Sequence, residues 1–139
     1  MFYKKCGDTY VVRLEIGEEI LESITELCKR ENIRAAEITG IGAAAKAVVG
    51  IYNVDEKQYY KTEIDGPLEI VSLLGNASRK DGEPYLHLHA SFSGESCNCV
   101  GGHLNSAVIG VTAEIFLRVI DGEIERTVHP VTGLNVFDL

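Results

Sequence analysis

No apolar run in this 139-residue chain approaches the roughly 20 residues that a membrane-spanning helix requires. The N-terminus, Met1-Phe2-Tyr3-Lys4-Lys5-Cys6, lacks the apolar stretch and the cleavage site of a secretory signal, so a cytoplasmic protein is expected. Cysteine is sparse. Cys6, Cys28, Cys97 and Cys99 make neither a dense framework nor a Cys-x-x-Cys pair, so disulfides are not needed and reduced thiols are the default. Basic residues are also in deficit, 13 Lys and Arg against 21 Asp and Glu. The resulting net charge of −8 repels a phosphate backbone at long range and argues against stand-alone nucleic-acid binding, short of a local basic patch. No internal repeat, low-complexity tract or shift of composition divides the chain, so residues 1–139 are read as one domain. A chain of this length buries roughly two-thirds of its unfolded surface without staples.

What is present reads as α+β, mostly sheet. Tyr10 to Leu14 is rich in strand formers, and Gly17 to Asn32 carries a helical stripe at Ile20, Leu21, Ile24, Leu27 and Cys28. Glu18 and Glu19 open that helix and Lys29 and Arg30 close it, in the sense the helix macrodipole favours. Ala35 to Thr39 then completes a β-α-β opening, with Gly40-Ile41-Gly42 as the turn after it. Beyond residue 46 there is no long helical period, only short strand candidates: 48–54, 59–63, 68–74, 85–92, 108–112, 113–120 and 125–128. Asp65-Gly66-Pro67, Asp81-Gly82 and Asp121-Gly122 are the turn signals among them.

The chemistry concentrates in Tyr85-Leu86-His87-Leu88-His89-Ala90-Ser91 and Gly101-Gly102-His103-Leu104, which hold three of the four histidines. Side chains two apart on a strand share a face, so His87 and His89 can reach one metal ion. His103, from a glycine-rich loop, supplies a third ligand and leaves a coordination position open for water or substrate. The plainer alternative puts His87 and His89 on the solvent face of a strand whose Leu86, Leu88 and Ala90 face the core. Gly101-Gly102 tips the balance toward a site, because two glycines permit a close backbone approach that a plain turn does not need.

Glu69 and Glu114 are charges inside apolar strand patterns; each could orient a ligating histidine or act as a general base, and each could equally be an outward residue. Arg13 and Arg126 sit in β-like segments, where a guanidinium fork could clamp a substrate anion or pair internally with Glu69 or Glu114. Gly40-Ile41-Gly42-Ala43-Ala44-Ala45 imitates a dinucleotide-binding fingerprint, but strand-like residues follow from Val48 and leave no room for the phosphate-binding helix. Cys97-Asn98-Cys99 is a weak ligand signal in an exposed loop, and His129, before Pro130, is assigned no role.

Taken in order, Arg13-Leu14-Glu15, Gly17-Glu18-Glu19-Ile20, Gly40-Ile41-Gly42-Ala43 and Gly66-Pro67-Leu68-Glu69-Ile70-Val71-Ser72-Leu73-Leu74-Gly75 form a distinctive series. His87-Leu88-His89, Gly101-Gly102-His103-Leu104, Ala113-Glu114-Ile115 and Thr132-Gly133-Leu134 continue it. Through nearly its whole length the chain thereby resembles the plant and prokaryote conserved (PPC) domain family. That resemblance implies a compact α+β fold assembling as a homotrimer, with the histidine cluster near a subunit boundary and sometimes holding metal. Plant members of the family owe DNA binding largely to an AT-hook, an Arg-Gly-Arg-Pro-type element absent from this sequence, so direct DNA binding is not expected here. Gly82, His87, His89 and Glu95 also echo the first cupin metal motif, but with spacing off by one at each end and no second motif.

The expectation is a homotrimer whose His87, His89 and His103 bind a divalent metal, zinc first, and present it to a small ligand or anion. Glu69 would be the proton carrier or orienter of any catalysis, and Arg13 or Arg126 the anion clamp. The competing reading is a regulatory or DNA-binding interaction module in which the histidines serve packing.

Overall fold

The computed structural model describes all of residues 1–139. Its elements are strands β1 (Phe2–Cys6) and β2 (Thr9–Glu15), helix α1 (Ile20–Arg30), strands β3 (Ala36–Asn53), β4 (Gln58–Lys80), β5 (Glu83–Ser93) and β6 (Cys99–Val119), and a small hairpin of β7 (Arg126–Val128) and β8 (Asn135–Phe137). The helix forms where the stripe predicts it. Ile20, Ile24, Leu27 and Cys28 are its buried residues, each large apolar side chain there stabilising the fold by roughly 1.5–3 kcal/mol. Glu19 is its N-cap: one carboxylate oxygen accepts from the Glu22 N–H at 2.7 Å, and the other accepts from the Ala107 N–H at 2.9 Å, tying the helix start to β6. No helix is long and apolar enough to cross a membrane.

The main sheet has six strands in the order β1-β2-β6-β3-β4-β5, all neighbours antiparallel, and β5 pairs a second time with β6. That last pairing, from His89 opposite His103 to Ser93 opposite Cys99, closes β3, β4, β5 and β6 into a ring. Inside it pack Ile38, Leu73, Leu88, Phe92, Leu104 and Ile115, within one apolar core that also takes in the inner face of α1. The segments β2, α1 and β3 succeed one another as the sequence suggests, but β2 and β3 do not pair. Each runs antiparallel to β6, which lies between them.

The sequence predicts more breaks than the chain has. Gly40-Ile41-Gly42 is not a turn but part of β3, where the register slips between Gly40 and Gly42. A Cβ on Gly42 would lie 2.5 Å from the Thr112 carbonyl oxygen, so glycine is needed for strand-to-strand approach rather than for reversal. Asp65-Gly66-Pro67 likewise lies within β4, opposite Lys46 and Ala44 at a second slip. Candidates 108–112 and 113–120 are one strand with the histidine segment, β6. Asp81-Gly82 does reverse the chain: with φ of 52° and 80° both residues are left-handed, as a two-residue hairpin turn requires. The β3–β4 reversal at residues 54–57 carries no glycine and uses Lys57 at φ 52°.

Ring closure depends on close contact at Gly101, where a Cβ would lie 2.3 Å from the Ala90 carbonyl oxygen. Gly101→Ala must therefore push β6 away from β5. The expected cost is about 1–3 kcal/mol, the ordinary penalty for overpacking, measured as a fall in the denaturant midpoint. An unchanged midpoint would show that the ring closes without this contact.

Candidate metal centre

Ring closure is also what assembles the histidines. His87 and His89 alternate with the buried Leu88 and Ala90 on β5, so both project from the outer face. On β6, His103 is the direct cross-strand partner of His89 and of Gly50. The glycine-rich segment before it is thus strand, not loop, and brings the third imidazole into register by backbone pairing. The three rings form a near-equilateral group with centroids 5.3, 5.1 and 5.5 Å apart. One ligand nitrogen from each lies within 4.8 Å of the others. His87 and His103 are half-buried and His89 is exposed.

Burial pushes the His87 imidazole down from its usual range to about 4, helped by the positive charge of its neighbours His103, Arg126 and His89. Burial, with a contribution from His89, also lowers His103. Neutral imidazoles are what a divalent cation requires, since a protonated ring offers no lone pair. The donor set therefore fits a metal ion. The rings line a cavity of about 610 Å³ bounded by β3, β4, β5, β6 and the β7–β8 hairpin.

The other residues singled out by sequence are placed elsewhere. Glu69 is exposed on β4, opposite Ser93 and Ala43, and borders a separate hollow with Pro67 and Glu95 rather than the histidines. Glu114 is exposed on β6 beside Arg13 and Ile41. Arg13 forms a 3.0 Å ion pair with Glu15 on the exposed face of β2. Arg126 is close to the site but committed: its guanidinium donates to Ser78 Oγ (2.7 Å), Asn76 Oδ1 (2.8 Å) and the Asn135 carbonyl (2.8 Å). Stacked between Tyr85 and Phe137, only 7% exposed, it holds the hairpin against β4. Neither arginine pairs with Glu69 or Glu114. Cys97 and Cys99 are exposed free thiols, and His129 accepts from the Thr132 N–H within the terminal hairpin.

Sequence reasoning missed the tyrosines. Tyr52, Tyr59, Tyr60 and Tyr85 line the cavity, and Tyr59 meets His103 edge-on with centroids 6.1 Å apart. The Tyr59 hydroxyl accepts from Asn105 Nδ2 at 2.7 Å, and the same amide reaches the His103 carbonyl at 3.2 Å, bracing the β6 backbone at the histidine. Paired tyrosines in a strand candidate were the available signal, but only the long β3–β4 hairpin bends them over the site.

Residues 1–121 match the model of the Plants and Prokaryotes Conserved (PCC) domain. The chain belongs to that family. Among solved structures, a plant- and prokaryote-conserved (PPC) protein from Pyrococcus horikoshii is 37% identical, with TM-score 0.88 over 99% of this chain and 95% of that one. A metal-containing protein from Archaeoglobus fulgidus is 36% identical, with TM-score 0.89 over 100% of this chain and 99% of that one. A protein from Bacteroides thetaiotaomicron, named provisionally as DNA-binding, is 32% identical, with TM-score 0.96 over 99% and 96%. No curated protein matches the chain.

Two outcomes follow for this PCC domain. Because the folded state disfavours protonation of His87, the metal-free protein keeps this contribution to stability above the unfolded value near 6.5 and loses it as pH falls toward about 4. Thermal melts of metal-free wild type and His87→Gln should therefore diverge between pH 7 and 4.5, the wild type losing more; parallel melts would show that His87 is not held neutral by the fold. Arg126→Ala strands Asn76 and Ser78 and should cost about 2–4 kcal/mol, against about 0.5 kcal/mol or less for the exposed Arg13→Ala. Equal denaturation midpoints for the two variants would remove Arg126 from its structural role.

Proposed function

We propose that this PCC domain is a cytoplasmic homotrimer whose His87, His89 and His103 bind a divalent metal, zinc first, and present its open position to a small ligand. The observation that carries the reading is the triad: three outward imidazoles, two of them held neutral by burial, with ligand atoms within 4.8 Å at the floor of a cavity. Three nitrogen donors and one exchangeable position suit zinc, which tolerates the tetrahedral geometry and needs no redox chemistry. The metal-containing Archaeoglobus relative supports the same reading.

Subunit association has its own support. Val11, Phe116, Thr39, Leu74 and His89 are successive cross-strand partners, so they form one row on the outer face. Phe116 is 48% exposed and Leu74 54%, with Ile41 and Val71 also exposed on the outer face of the same strands. An exposed, mostly apolar row of this kind supports an association surface.

The sequence offers Glu69 as proton carrier or orienter and Arg13 or Arg126 as anion clamp. Their placement favours a simpler site, in which the metal itself is the anion-attracting group. A second reading, an interaction module binding DNA, is favoured by the naming of the Bacteroides relative. The net charge of −8 weighs against it.

Elemental analysis of protein purified without a histidine tag tests the first reading: wild type should carry about one metal per chain and His87→Ala/His89→Ala far less. Equal content in both would sink it, and a monomer on size measurement would sink the homotrimer. Binding to duplex DNA that weakens steeply with salt would establish the second reading in place of the first.

A further inference from the structure

We infer, resting on the metal reading above, that the cavity over the histidines takes a monocarboxylate with an aromatic or branched apolar body, its carboxylate on the metal and its body between the tyrosines and the terminal hairpin. The lining supports this by what it contains and by what it omits. Tyr52, Tyr59, Tyr60 and Tyr85 offer ring faces and edges, and Val49, Ile51, Leu134 and Val136 offer aliphatic surface. Among the residues bordering the cavity there is no Lys, Arg, Asp or Glu.

Charge then decides the head group. Metal ligation requires neutral imidazoles, so a divalent ion held by three of them keeps its full double charge, and nothing else in the lining compensates it. An anionic oxygen donor is the natural complement. A phosphate ester would leave its further oxygens against a wall without cationic donors, because the Arg126 guanidinium is already bonded to Ser78, Asn76 and Asn135. A sugar would leave its hydroxyls facing rings and aliphatic carbons. An apolar body instead exchanges water for contact with the tyrosines, whose hydroxyls are largely engaged already: Tyr59 with Asn105, and Tyr52 with the Thr132 carbonyl at 3.0 Å. The space, about 610 Å³, is enough for a body of one ring or a branched chain.

Cobalt(II)-substituted protein provides the test, since its visible bands report both loading and exchange of the fourth ligand. Benzoate, acetate and inorganic phosphate are titrated separately. Benzoate should shift the bands with at least a ten-fold lower apparent Kd than acetate, and lower than phosphate. Leu134→Glu puts a carboxylate into the exposed hairpin wall while leaving the hydrogen bond from the Arg126 guanidinium to the Asn135 carbonyl in place. It should load cobalt with the wild-type spectrum and bind benzoate at least ten-fold more weakly. Normal loading with equal affinity for benzoate and acetate, or with phosphate preferred, or with Leu134→Glu unaffected, overturns the ligand assignment and leaves the metal reading intact. Failure of the wild type to load cobalt overturns both.

Discussion

The pairing of β5 with β6 is the interaction on which this structure turns. An antiparallel sheet of six strands could lie open, with β5 as one free edge; instead the five residue pairs from His89–His103 to Ser93–Cys99 fold it back on itself. The closure removes an edge that would otherwise offer unpaired N–H and C=O groups to other chains. It also seals Leu88, Phe92 and Leu104 inside the core. The first pair of that closure is two of the three histidines, so the core and the candidate centre share one set of backbone hydrogen bonds. A fault in the ladder here would open the core and separate the imidazoles together.

Closure on so small a ring demands that backbones pass very close, and this explains the glycines better than turn chemistry does. A Cβ at Gly102 would lie 2.8 Å from the Gly50 carbonyl oxygen, just where β3 meets β6 beside His103. Side chains are excluded at that crossing, and the space above it goes to the imidazoles and to Tyr59. The polar groups near the site are then fixed from behind: Asn105 holds Tyr59 and the His103 backbone, while Arg126 holds the hairpin wall. The charge of Arg126 still acts through that wall, as one of the influences that keep His87 neutral.

Much of this was legible in the sequence, for reasons that differ from element to element. The helix was readable because Ile20, Ile24, Leu27 and Cys28 report a period that depends only on local geometry. The histidine triad was readable because His87 and His89 share a strand face whatever that strand pairs with, and the family series pointed to His103 as their companion. The lengths of β3, β4 and β6 were not readable: Gly42 and Gly66 are turn residues by local chemistry, and only their distant neighbours Thr112 and Ala45 reveal them as crossing points. The commitments of Arg126 were not readable for the same reason: its three acceptors are brought from 9 to 50 residues away.

His89 occupies a special place between two surfaces. Inward along its row lies His103, at the floor of a cavity without formal charge; outward lie Leu74, Thr39, Phe116 and Val11, exposed and mostly apolar. Because the side-chain period of a strand is two, one register sets both faces, and a slip of one residue would bury the histidine and expose the core. Leu74 and His89 are direct cross-strand partners, so the exposed apolar row and the exposed edge of the triad are one continuous surface, set by the same ladder that closes the ring.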